Sequence, residues 1–159
     1  VRDLAKEPPK AWVWTDDCLA KWCAEICRKD PTVIFSDTVA VGKYVAHLMQ
    51  CPYYGEGRQA AVDILREDGS RSIVCSRQAH GQGRNLQCFA RAFVLGASPS
   101  GTTWEQMLGR LHREGQTADE VRYVLPSCFR TELDRALDNA AHLEEIGEGV
   151  QRLRIASII

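Results

Sequence analysis

The stretch Gln106-Met107-Leu108-Gly109-Arg110-Leu111-His112-Arg113-Glu114-Gly115-Gln116 sets two arginines three residues apart, just after a predicted strand and loop. Guanidinium is planar, permanently charged and able to bond through two N–H groups at once, so such a pair can grip a phosphate. Upstream lies His80-Gly81-Gln82-Gly83-Arg84-Asn85-Leu86-Gln87, a glycine-relieved turn that lets backbone amides approach an anion or a sugar-phosphate chain closely. The two loops stand about one strand apart, which suggests a single phosphate-facing edge.

Outward from this pair the chain alternates strands and helices. Asp16 to Arg28 reads as a helix capped by Thr15 or Asp16, with Cys18, Leu19, Trp22, Cys23, Ile26 and Cys27 at helical spacing. Pro31 to Phe35 has the β-branched and aromatic content of a buried strand, Ser36-Asp37-Thr38 suits a turn and helix start, and Val39 to Met49 is the helix that follows. Cys51 to Tyr54 is a further strand broken by Gly55-Glu56-Gly57; Arg58 to Arg66 has an amphipathic helical pattern that Asp68-Gly69 ends. Ser72 to Ser76 runs as a strand into the glycine loop, and Ala92 to Leu95 is the next. After the loop Ser98 to Thr102, a helix from Thr103 to Leu111 delivers the two arginines, and Val121 to Leu125 is the last strand. A long helix from Cys128 to Ile146 carries an apolar stripe of Leu133, Ala136, Leu137, Ala140, Ala141 and Leu143, stopped by Gly147 and Gly149. This alternation predicts an α/β fold: one parallel sheet with helices on both faces. Residues 1–15, with Lys6-Glu7-Pro8-Pro9-Lys10, read as a linker, and residues 16–159 as a single domain.

In this order and at this separation, the two motifs resemble motifs V and VI of superfamily-two helicases and translocases, over the stretch from Thr32 to Leu125. The variant Gln106-x-x-Gly109-Arg110-x-His112-Arg113-x-Gly115-Gln116, preceded by Gly81-x-Gly83-x-Asn85-Leu86, looks most like the Swi/Snf-type branch and its phage and plasmid relatives rather than the DEAD-box branch. The resemblance implies a RecA-like fold and the place of the second, C-terminal motor domain. It implies that Arg113, as an arginine finger, and Arg110 reach across a cleft to nucleotide held by a first RecA-like domain. Gly83, Asn85, Gln106 and Gly109 would face the nucleotide by the same likeness. Ser36, Asp37 and Thr38 occupy the place of motif IV and, with His80 and Gly81, would face the nucleic-acid track. ATP and Mg2+ are then the expected cofactors, bound mainly by the first domain, and DNA is the expected polymer.

What is missing from the sequence agrees with half a motor. No GxxxxGK[ST] phosphate loop occurs: Gly42-Lys43 is followed by Tyr44, and Asp37 stands where the first glycine is required. Asp16-Asp17 precedes a helix and Glu144-Glu145 lies within one, so no acid pair ends an apolar strand. This chain alone is therefore expected not to hydrolyse ATP. Its 159 residues, 45% hydrophobic, suffice for one core, and a formal charge of −1 argues against a standalone polyanion binder. The charge is polarised along the chain, however: Arg77, Arg84, Arg91, Arg110 and Arg113 face Glu105 alone between Arg77 and Arg113, while acids gather after Thr117.

The seven cysteines form an odd set without a CxxC pair, and no secretory leader precedes them, so a reducing, intracellular setting is expected, in a bacterium or phage-infected cell. No metal ligand set and no membrane span are expected, and the chain by itself is expected to be a monomer. Other readings compete with the motor domain. One is a non-catalytic module that keeps the lobe to dock proteins. Another is a dinucleotide-binding fold, which fails at its third glycine, where Leu86 stands. A thiol enzyme built on Cys75 and His80 would lack a third activating group.

Overall fold

The computed structural model describes residues 15–81 and 85–145, the last three by backbone alone. The proline segment at residues 6–10, Trp12, Trp14, Gly83, Arg84, Gly147 and Gly149 lie outside the described residues. Five parallel strands form one sheet: β1 (Val33–Ser36), β2 (Tyr53–Tyr54), β3 (Ile73–Ser76), β4 (Arg91–Leu95) and β5 (Arg122–Val124), in the order β2-β3-β1-β4-β5. The helices are α1 (Cys18–Cys27), α2 (Val39–Met49), α3 (Arg58–Asp63), α4 (Arg77–His80), α5 (Gly101–Leu108) and α6 (Arg130–Glu145). Among the described residues no helix is long and apolar enough to cross a membrane.

The three central strands are buried on both faces, because alternate side chains feed two separate apolar layers. Ile34, Val74, Phe93 and Leu95 pack against Ala20, Cys23 and Cys27 of α1 and Val45 and Ala46 of α2. Val33, Phe35, Ile73, Cys75, Ala92 and Val94 face the other way, onto Trp104 and Met107 of α5 and Leu133, Ala136 and Ala140 of α6. Helices therefore cover both faces, as the alternation implies. At the crossing of α5 and α6 the backbones come close: a Cβ added to Gly101 would lie 2.6 Å from the Cβ of Ala140.

Most boundaries follow the periodicity, and the departures have local causes. Helix α1 starts later than expected, since the Asp16 carboxylate accepts from the Cys18 amide at 2.6 Å and Asp17 stands at the cap. The 58–66 segment is α-helical only to Asp63 and finishes as a 3₁₀ turn over Ile64–Arg66. A 3₁₀ turn also occupies Ser127–Phe129, so the long helix begins at Arg130 rather than Cys128. Helix α5 runs earlier than expected, because Ser100 caps it by accepting from the Thr103 amide at 3.4 Å. The single helical turn α4, between β3 and the glycine loop, has no apolar periodicity to announce it. It forms because the Ser76 hydroxyl accepts from the Ala79 amide at 3.4 Å.

Candidate phosphate-facing site

The segment from Gly109 to Gln116 and the glycine loop are stitched together by both backbone and side chains. The Leu86 amide donates to the Arg110 carbonyl at 3.0 Å. Arg110 returns its Nε–H to the Gly81 carbonyl at 3.2 Å, and Arg113 donates Nη1–H to the Asn85 side-chain oxygen at 2.6 Å. Gln116 closes the segment, donating to the carbonyls of Phe89 at 2.9 Å and Leu111 at 3.1 Å. Gly115 turns the chain at φ +92°, a backbone state that side-chain-bearing residues rarely adopt, and rests on Gln87.

The two guanidiniums thus stand together beside the loop that leaves β3. Burial, and then the Arg113 charge, hold the Arg110 guanidinium below its ordinary pKa. Positive charge is being held where it is electrostatically costly, the condition an incoming anion relieves. Arg113 is exposed, and among the described residues no salt bridge ties it to Glu105, Glu114 or Asp119.

The other sequence-selected residues are distributed less evenly. Gly109 is exposed at φ −66°, a conformation any residue adopts, so the backbone does not demand glycine there. Gln106 is half-buried, and its side-chain carbonyl oxygen accepts no hydrogen bond from the described residues. Gly81 is right-handed, at φ −66°, so glycine matters there for space: a Cβ would press on the Arg77 carbonyl. His80 lies inside the protein, 1% exposed, with Nε2 donating to the Gly55 carbonyl at 2.7 Å. Direct contact between its ring and a ligand would require this turn to open.

At the carboxyl end of β1, Ser36 is buried and donates its hydroxyl to the Thr38 carbonyl at 2.9 Å. Thr38 caps α2 with no hydrogen bond from its side chain. Asp37 forms a two-point ion pair with Arg77, through Arg77 Nε and Nη2. Its amide donates to the Leu95 carbonyl at 3.3 Å, and Gly96, at φ +118°, leaves room for its carboxylate, which a Cβ would meet at 2.6 Å. The carboxyl ends of β1, β3 and β4 are thereby tied to one another. Sequence reading missed Arg77, because its acid lies 40 residues away and no spacing rule links them.

Two of the competing readings lose their footing here. Cys75 is fully buried, which pushes its thiol upward, away from the reactive thiolate, and the His80 Nε2 is engaged by Gly55. The glycine loop follows a capped helical turn, not the direct strand-to-helix turn of a dinucleotide fingerprint. Trp104 is buried with its indole N–H on the Ser98 carbonyl at 2.8 Å, whereas Trp22 is 41% exposed and meets Phe93 edge-on at 5.5 Å. Among the described residues no group of three or more histidines, cysteines or acids is placed to hold a metal ion.

No protein-family model matches the chain. Solved structures do match its fold. The C-terminal part of the Fun30 ATPase domain aligns with 76% of this chain, at 23% identity and a TM-score of 0.53, over 43% of that chain. The Mycobacterium smegmatis helicase Lhr, solved bound to ssDNA and AMP-PNP, aligns with 86% of this chain, at 14% identity and a TM-score of 0.57. The match spans 20% of Lhr, so this chain covers less than half the length of either neighbour. With five parallel strands, helices on both faces and these neighbours, the chain has the α/β RecA-like fold of a helicase lobe.

Proposed function

We propose that this chain is the second motor domain of an ATP-dependent DNA helicase or translocase of the Swi/Snf-type branch with phage and plasmid relatives. It supplies Arg113 and Arg110 to a nucleotide held by a first RecA-like domain, and no phosphate loop of its own. One observation carries the reading: two guanidiniums are anchored on the glycine loop, and Arg110 is held as a cation against both its burial and its neighbour's charge. The likeness of fold to helicase and ATPase lobes supports it.

The residues present fit a polyphosphate, because exposed Arg113 is anchored on Asn85 through one N–H group of a fork that carries five. ATP with Mg2+, when bound, supplies the phosphoryl group to be cleaved and part of the charge neutralisation. Arg113, exposed at the end of its turn, is the finger that meets charge developing on the terminal phosphate. Arg110, braced against Gly81, holds the loop while contributing positive potential. Near the ends of β1 and β3, Thr38, Asp37 with Arg77, and the turn ending at Gly81 form the surface offered to nucleic acid.

The test is ATP turnover by this chain alone and together with a Walker-bearing lobe. The isolated chain should be silent and the pair active, and Arg113→Ala should lower turnover by roughly 10³ to 10⁵. Strong turnover by the chain alone refutes the reading. So does full turnover in the Arg113→Ala pair, which would favour a docking module built on the same lobe.

A further inference from the structure

Tyr123 stands on the edge strand β5, outside both motifs, yet its hydroxyl reaches the exit of α5. It lies 3.2 Å from the Met107 carbonyl oxygen and 2.9 Å from that of Leu108, the last two residues of the helix. Those two oxygens have further duties: Met107 accepts the Arg110 amide at 3.1 Å, and Leu108 accepts the His112 amide at 3.2 Å. One phenol therefore grips both acceptors from which the arginine turn hangs. Each of these carbonyl oxygens has two lone pairs, so the phenol adds a second donor to acceptors that the turn's own amides already use, and Gly109 has no side chain to do so.

The surroundings keep this grip in place. The Tyr123 ring packs against the layer formed with α5 and α6, and burial pushes its phenol upward, so the O–H remains a donor throughout the neutral range. Strand β5 is itself locked to its neighbour, with Tyr123 in register with Ala92 and the Arg122 amide on the Ala90 carbonyl at 2.9 Å. The hydroxyl is thus referenced to the sheet and not to the loop it holds.

We propose that Tyr123 is a positioning residue for the arginine pair: by fixing the exit of α5 against β5, it sets the reach of Arg110 to Gly81 and of Arg113 to Asn85. This rests on the motor-domain reading above. Tyr123 touches no nucleotide; it acts through the backbone of Met107 and Leu108. Removing one hydroxyl should loosen the turn without emptying the core, since phenylalanine keeps the ring.

The test uses this chain paired with a Walker-bearing lobe and ATP, comparing Tyr123→Phe, Arg113→Ala and Leu137→Ala. Leu137 packs in the same layer from α6, with no hydrogen bond to the exit of α5 among the described residues, and reports what loss of stability alone does. Tyr123→Phe should lower kcat by about tenfold to a hundredfold, the scale of a displaced catalytic group, while KM for ATP stays within about twofold. Leu137→Ala should lower the melting temperature and leave kcat near the original value. In the chain alone, the Arg110 Nε–H should exchange with solvent faster in Tyr123→Phe than in Leu137→Ala. If Arg113→Ala silences the pair but Tyr123→Phe keeps kcat within twofold, or loses no more than Leu137→Ala, this inference falls and the motor reading stands. If Arg113→Ala leaves turnover intact, both fall.

Discussion

Replacing Gln116 with leucine should unfasten the arginine segment from the strand beside it, and the cost can be worked from three hydrogen bonds. The amide nitrogen donates to Phe89 O at 2.9 Å and Leu111 O at 3.1 Å, and the amide oxygen accepts the Ala118 N–H at 3.0 Å. Both acceptor residues are buried, so water does not readily replace the lost donors. At about 1 kcal/mol net per hydrogen bond the loss is about 3 kcal/mol, more if the stranded carbonyls stay dry. For a chain of this size that corresponds to a fall in Tm of roughly 6–12 °C. Urea unfolding followed by tryptophan fluorescence would report the midpoint, with the slope m unchanged if only the folded state is affected. Gln116→Glu should be worse at neutral pH, because a carboxylate oxygen would face two carbonyls, and should recover in acid as the group gains a proton to donate. A loss below about 0.5 kcal/mol for the leucine variant would refute the reasoning, since it would mean that the bonds add nothing beyond those made to water.

Two further perturbations probe the flanks of the site. The Glu67 carboxyl, held by Arg71 at 2.7 Å and by the Tyr54 hydroxyl, lies below the ordinary carboxylate pKa, so the unfolded chain takes up its proton first. The stabilisation is present above the unfolded value and is lost as pH falls through the lower folded one. Urea midpoints measured against pH should therefore drop more steeply in acid for the parent chain than for Glu67→Gln, and equal slopes would contradict this. His80→Leu removes the bond to the half-buried Gly55 carbonyl and should cost about 1 kcal/mol, the net worth of one such bond. Hydrogen exchange of the Gly81 amide, which donates to the Arg77 carbonyl at 2.7 Å, should quicken with it, and unchanged exchange would argue that the turn stands without His80.

The sequence by itself determined the architecture, because side-chain periodicity records which faces are buried. The even burial of β1, β3 and β4 was written in short runs such as Val33-Ile34-Phe35 and Ile73-Val74-Cys75, and Val39–Met49 was legible to the residue. The arginine segment and the glycine loop stood out for a related reason: each is a particular set of residue types at short local spacing. Only the tertiary structure decided who holds whom. Arg77 with Asp37, Arg113 with Asn85, His80 with Gly55 and Tyr123 with the exit of α5 are separated by 40, 28, 25 and at least 15 residues. Local propensity extends over about one helical turn, whereas these pairings depend on which strands become neighbours, and strand order is settled by packing the whole sheet. His80 shows the difference most plainly: its neighbours in the chain suggested a surface loop, and the folding of the β2–α3 connection over it made it part of the interior.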